Sequence, residues 1–231
     1  KTGILVHGRH LQSVGWEKLV WGEPPYKLGS LPMMVLIALT EGLDNIGAVV
    51  FGTGASEKDG LKEAEYTKYY LIDHVRDLCG FDVIRDHPNY SPIICDLFDI
   101  CDSVTLELQS QNTVQEIENA ARVFSETGCD RVMQISCGSH IERCIRDRLV
   151  VQEQGGIPSG QLWYAVADDM TFNDTSAADV AILEPPHRGD DPMLGMPNLP
   201  HKMAPRIFKI SFEQRLKFLS EVESLFQEYG V

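Results

Sequence analysis

Residues 48–56 read Ala48-Val49-Val50-Phe51-Gly52-Thr53-Gly54-Ala55-Ser56, four apolar side chains followed by two glycines among small residues. A short continuous apolar run stopped by glycine is the pattern of a strand buried on both faces of a parallel sheet. Ile4-Leu5-Val6, ended by Gly8, repeats that pattern near the start of the chain. Between the two, Leu31 to Leu43 carries apolar residues on nearly every face, as a helix packed against a sheet does, and Gly42 lies near its end. Strand, helix and strand make a β-α-β unit.

The same alternation continues outward. From Leu61 to Cys79 the apolar positions Leu61, Ala64, Tyr69, Ile72, Val75 and Cys79 recur at helical spacing, and Gly80 stands where a left-handed cap residue would. Ser103 to Leu108 predicts a third strand, and a Thr113-Val-Gln-Glu116 capping box opens a helix running to about Glu126, ended by Gly128. Arg131 to Ser136 predicts a fourth strand, Ile141 to Val151 a helix broken by Gly155-Gly156, and Trp163 to Ala167 and Val180 to Leu183 two more strands. A closing amphipathic helix places Phe212, Leu216, Leu219, Val222 and Phe226 on one face. Asp82 to Asp99 and the proline-rich Pro185 to Pro205 fit neither period and read as long loops. The prediction is a single α/β domain over 1–231, a three-layer α/β/α sandwich of Rossmann-like kind with a mostly parallel sheet.

Composition narrows the partners. Of 231 residues, 34 are acidic and 20 basic, a formal charge of −14, which argues against a nucleic-acid backbone or an anionic membrane. With 43% hydrophobic and 23% charged residues the chain reads as an ordinary soluble protein. The longest apolar stretch, Leu31 to Thr40, is half of the roughly 20 residues that a membrane span needs. No basic region followed by an apolar run opens the chain, and whether a signal sequence once preceded it stays open. Cys79, Cys95, Cys101, Cys129, Cys137 and Cys144 form no C-x-x-C pair, which predicts reduced thiols in a cytoplasmic protein.

In a parallel sheet the residues that follow each strand emerge on one edge, where ligands of such folds bind. Here they are Gly8, Arg9 and His10; Gly52, Thr53 and Gly54; Glu107 to Asn112; Ser136 to His140; Asp168 and Asp169; Glu184 and His187. Gly52-Thr53-Gly54-Ala55-Ser56 can present backbone N–H groups to a phosphate or carboxylate, or be a plain strand-to-helix turn. Ser110, Asn112 and Thr113 all favour helix N-caps. Ser136-Cys-Gly-Ser139-His140-Ile-Glu-Arg143 puts a histidine and an arginine at a strand-to-helix junction that favours negative charge. His140 there binds an anion or moves a proton; alternatively it bonds locally while Arg143 pairs with Glu142 or Asp147. Asp168-Asp169 with His187 suggests a divalent metal, although acidic loop residues also serve as plain surface. Cys137 beside His140 suggests a thiol nucleophile or, as free cysteines more often are, an inert buried side chain.

Taken together, Glu107, Ser110, Asn112, Thr113 and Glu116, followed by Ser136, His140 and Arg143, resemble the motif of the YdcF-like family, which includes the SanA and ElyC branch and has no general function assigned. Lys62-Glu63-Ala64 looks like that family's E-A at a helix start, whereas Gly52-Thr53-Gly54 replaces its usual S-G-G and Gly8-Arg9-His10 replaces a glycine-rich turn. The resemblance covers about Gly3 to Val151, a core over 1–151, and leaves 152–231 as additional strands, loop and helix. It lacks the membrane anchor of the SanA and ElyC branch. The resemblance implies a cytoplasmic Rossmann-like protein binding a small molecule, with a nucleotide-like ligand such as S-adenosylmethionine suggested for one branch.

The functional expectation is an enzyme of hydrolysis or group transfer acting on an anionic, nucleotide-like or carboxylate-bearing molecule. Glu107 and His140 form its acid–base pair, with Asn112 orienting the ligand or Glu107. Arg9, Arg143, His187, Ser110, Ser136 and the groups near Gly52, Gly54 and Ser139 hold the ligand. No hydride-cofactor fingerprint and no G-x-S-x-G elbow occurs. A non-catalytic carrier of nucleotide or S-adenosylmethionine is the alternative. Metal requirement and oligomeric state stay open.

Overall fold

The computed structural model describes residues 1–52, 56–90, 101, 104–171 and 211–229. The apolar runs become five strands: β1 (Thr2–Val6), β2 (Ile46–Phe51), β3 (Val104–Leu106), β4 (Arg131–Cys137) and β5 (Leu162–Asp168). All four neighbouring pairs run parallel, in the order β3-β2-β1-β4-β5. The chain therefore winds away from β1 through β2 to β3, then returns to lay β4 on β1's other side. That reversal opens a crevice at the carboxyl ends of β1 and β4, the topological switch point.

Side-chain alternation along the strands feeds two cores. Ile4, Val6, Val49, Phe51 and Ile135 pack on one face, and Leu5, Ala48, Val50 and Val132 on the other. The first face is covered by α1 (Trp16–Trp21), α2 (Ser30–Glu41), α3 (Glu63–His74) and the short α4 (Asp82–Arg85). The second is covered by α5 (Thr113–Glu126) and α6 (Gly138–Glu153). The result is an α/β/α sandwich of Rossmann-like kind. Helix α5 buries Ile117, Ala120, Ala121 and Phe124, spaced to form one stripe. Phe124 lies so close to β1 that a Cβ at Gly3 would stand 2.5 Å from its ring, so that glycine sets the helix–sheet distance. Fully burying each large side chain of these cores contributes roughly 1.5–3 kcal/mol.

Some boundaries differ from the sequence reading for local reasons. The predicted helix from Leu61 begins at Glu63, because Asp59-Gly60 turns Glu57–Lys58 back onto Leu61–Lys62 as a two-residue hairpin. Both turn residues have positive φ, 53° and 78°, as this turn type requires. Past His74 the helix tightens into a 3₁₀ segment, Val75–Gly80. Part of the predicted 82–99 loop is helix α4.

The chain divides into two compact units, Lys1–Val180 and Ala181–Val231. Within the second, the predicted closing helix forms as α7 (Phe212–Tyr229). The predicted strand at Val180 to Leu183, the Pro185 to Pro205 loop, Gly54 and His187 lie outside the described residues. No described helix is long and apolar enough to cross a membrane.

Candidate functional site

A cavity of about 400 Å³ opens at the switch point. Gly8, His10 and Gln12 line it after β1, Ser56, Glu57 and Glu63 on the way into α3, Gln111 to Thr113 and Glu116 at the start of α5, and His140 and Arg143 in α6. Three helix N-termini converge on one space, each bringing a positive dipole end and first-turn amides without helical acceptors.

The carboxylates of this wall are already engaged. Glu63 is buried and accepts from the Arg9 amide at 2.5 Å, the His10 amide at 3.0 Å, Trp16 Nε1 at 2.9 Å and Ser56 Oγ at 2.6 Å. It ties the loop after β1 to the start of α3. Burial raises its pKa, and the hydrogen bonds from Ser56, Trp16 and the Arg9 amide oppose that rise. Glu57 pairs with Lys62 Nζ at 2.9 Å. Glu116 reaches away from its helix to His7 Nδ1. Its carboxylate passes over the end of β2, where a Cβ on Gly52 would stand 2.1 Å from the carboxyl carbon. Gly52 thus makes room for Glu116, a different use from the anion cradle predicted there.

Behind the wall lies a buried chain of ionisable groups. His7 continues β1 by donating its amide to the Ile135 carbonyl, and its Nε2 lies 3.3 Å from Gln134 Oε1. Burial opposes charge on His7, but the neighbouring Cys144 and Glu116, the latter in contact with Nδ1, outweigh it and hold its pKa well above the ordinary value. Cys144 Sγ lies 3.6 Å from His140 Nδ1, and Ser136 Oγ lies 2.8 Å from the same nitrogen. Burial pushes the Cys144 thiol up, yet the neighbouring His7 and His140 bring its pKa down to about 6. Glu116, His7, Cys144 and His140 thereby link the sheet interior to the cavity.

The other predicted residues take varied places. Arg143 lines the cavity and is exposed; among the described residues its guanidinium meets Asp147 alone, Nε to Oδ2 at 3.6 Å, while Arg146 holds the other oxygen at 2.7 Å. Asn112 lines the cavity and is the N-cap of α5, accepting from the Gln115 amide at 3.0 Å through Oδ1, while among the described residues nothing accepts from its NH₂. The cap thus falls one residue before Thr113, and Glu116 serves His7 in place of closing a capping box. Ser139 sits in the first turn of α6, its Oγ 3.4 Å from Cys137 Sγ.

Glu107 and His140 are not brought together. The Glu107 carboxylate accepts from the Gln109 and Ser110 amides at 2.9 and 3.0 Å and from Asn119 Nδ2 at 2.8 Å, and it lines a second cavity of about 380 Å³ beside β3 and α5. Ser110 is buried in that turn. Arg9 turns away from the first cavity into a buried ion pair with Asp168 at the end of β5. Burial raises the Asp168 pKa to about 6 although Arg9 opposes it. Asp169 accepts from the Leu28 amide at 2.9 Å. Among the described residues no group of three His, Cys, Asp or Glu side chains is arranged to hold a metal.

The sequence reading missed His7 and Cys144. His7 follows three apolar strand residues directly, so it sits at the last ladder position before the crevice. Cys144 is four residues after His140, on the same helical face, a spacing visible in the sequence. Compared with family models, curated proteins and solved structures, the chain matches none.

Proposed function

We propose that this chain is an enzyme of hydrolysis or group transfer that binds an anionic small molecule, nucleotide-like or carboxylate-bearing, in the cavity between the ends of β1 and β4. His140 is its acid–base group. One observation carries this reading: each carboxylate in the cavity wall is already bonded to a described residue, whereas the wall also presents N–H donors at helix starts, an arginine and two histidines, His10 and His140. The donors are the Asn112 NH₂, the first-turn amide of Thr113 and the part of the Arg143 guanidinium beyond its Nε contact with Asp147, and His140 adds the ring nitrogen that Ser136 and Cys144 do not contact. A set of donors at helix N-termini recognises oxyanions even in a chain of net charge −14. His140, in the first turn of α6 with its Nδ1 contacted by Ser136, is the acid–base group in this reading. The arrangement suits the ligand class of the YdcF-like family that the motif resembles. Cys79, Cys129, Cys137 and Cys144 are free thiols, in keeping with a cytoplasmic protein.

A carrier or sensor is the second reading, favoured by the separation of Glu107 from His140, which leaves the cavity without a second carboxylate free for proton transfer. The two part in one experiment. Nucleotides, S-adenosylmethionine, phosphate monoesters and carboxylates, with and without Mg²⁺ or Zn²⁺, are screened by thermal shift and then for turnover. A ligand at a hundred times its Kd stabilises by about 2.7 kcal/mol. The enzyme reading expects turnover that falls at least a hundredfold in His140→Ala while the thermal shift persists. Turnover unchanged in that variant, or shifts confined to cationic and neutral compounds, contradicts it.

A further inference from the structure

Cys144 is fully buried, yet it lies near two histidines, one of which lines the cavity. We propose that Cys144, as a thiolate, is a positioning residue for His140: it holds the proton of the imidazole on Nδ1 and leaves Nε2 as the bare basic nitrogen facing the cavity. The juxtaposition is the one that a buried carboxylate makes with the histidine of a hydrolase triad, where the anion fixes the tautomer and stabilises the imidazolium. Here the anion would be sulfur. Sγ lies 3.6 Å from Nδ1, within reach of an N–H···S bond, and Ser136 Oγ at 2.8 Å offers the same nitrogen a second acceptor.

The surrounding charges sustain that thiolate. His7, with Nδ1 on Glu116 and Cys144 nearby, places an imidazolium between two anions, so charge alternates from Glu116 through His7 to Cys144. The other charged groups facing this cluster are Glu63 from the start of α3 and Arg143 from α6 itself. A buried charge persists only when it is paired and hydrogen-bonded, and each member of this row has its partner on the next element. Cys137, the thiol adjacent in sequence to the junction, instead contacts Ser139.

The inference rests on His140 being the acid–base group of the cavity, so the test is made on ligand-free protein, where it can fail independently of any substrate. Long-range ¹H–¹⁵N correlation spectra at pH 8 report which nitrogen of His140 carries the proton. The expected wild-type result is the Nδ1–H tautomer, with Cys144→Ala shifting to the Nε2–H form that free imidazole side chains favour. Cys144→Ser keeps the size without the charge and is expected to give a mixture. In parallel, the 240 nm thiolate absorbance of wild type minus Cys144→Ser should show one thiolate titrating near pH 6. A wild-type ring protonated on Nε2, an Nδ1–H ring that persists in both variants, or no thiolate step below pH 8 overturns the assignment.

Discussion

Two cavities of nearly equal size lie along α5, about 400 Å³ at its N-terminus by the switch point and about 380 Å³ between its C-terminal half and the edge strand β3. Each has a glutamate from the same stretch of sequence at its wall, Glu116 in the first and Glu107 in the second. Their fates differ. Glu107 satisfies two amides of its own turn and a side chain of α5, a local structural bond set that ends where it starts. Glu116 crosses to β1 and begins a row of ionisable groups that finishes at His140 in the cavity wall. Volume does not separate the two cavities. Position in the topology does, because the first alone collects the ends of two central strands and three helix starts.

Substitutions can break this contrast, beginning with the largest effect. Glu107→Ala should destabilise the fold by about 3 kcal/mol in urea unfolding, since it strands two backbone donors and an amide side chain, yet leave ligand-induced thermal shifts intact. Loss of those shifts with stability unchanged would make Glu107 part of the ligand site after all. Gly52→Ala should cost about 2 kcal/mol by driving a methyl into the Glu116 carboxylate, and it should disturb the first cavity alone. If the crystal structure of that variant kept Glu116 on His7, the argument from close approach would fall.

Smaller changes sharpen the comparison. Asn112→Ala removes the α5 cap, worth about 1 kcal/mol, together with a donor to the cavity. Its urea midpoint and its ligand affinity should therefore both decline, whereas a pure cap would lower the midpoint alone. Arg143→Ala touches an exposed side chain and should change stability by no more than about 0.5 kcal/mol. The anion-induced thermal shift should nevertheless disappear. A shift equal to that of the unmutated protein would remove Arg143 from the site.

The sequence was most legible where the physics is periodic. Ile4 to Val6 and Ala48 to Phe51 read as buried parallel strands because both their faces are apolar, and the edge to which their loops lead followed from topology alone. The motif around Ser136, His140 and Arg143 marked one wall of the cavity. Reading failed where a polar side chain had several partners within reach. Glu116 reads as a capping-box residue by spacing, and only the tertiary fold reveals His7 across the end of β2. Arg9 follows β1 as a ligand-binding arginine would, but Asp168, 159 residues later, claims it. Pairings of that range depend on strand order, which no local pattern encodes.

The central claim is that oxyanions are recognised at the switch point. Amide chemical-shift mapping with the tightest-binding anion of the screen tests it most directly, because both cavities report in one spectrum. The account predicts that the largest changes fall on Asn112, Thr113, Val114, Ser139, His140 and Arg143. Changes centred on Leu106 to Gln109 and Arg122, with the α6 N-terminus silent, would contradict it.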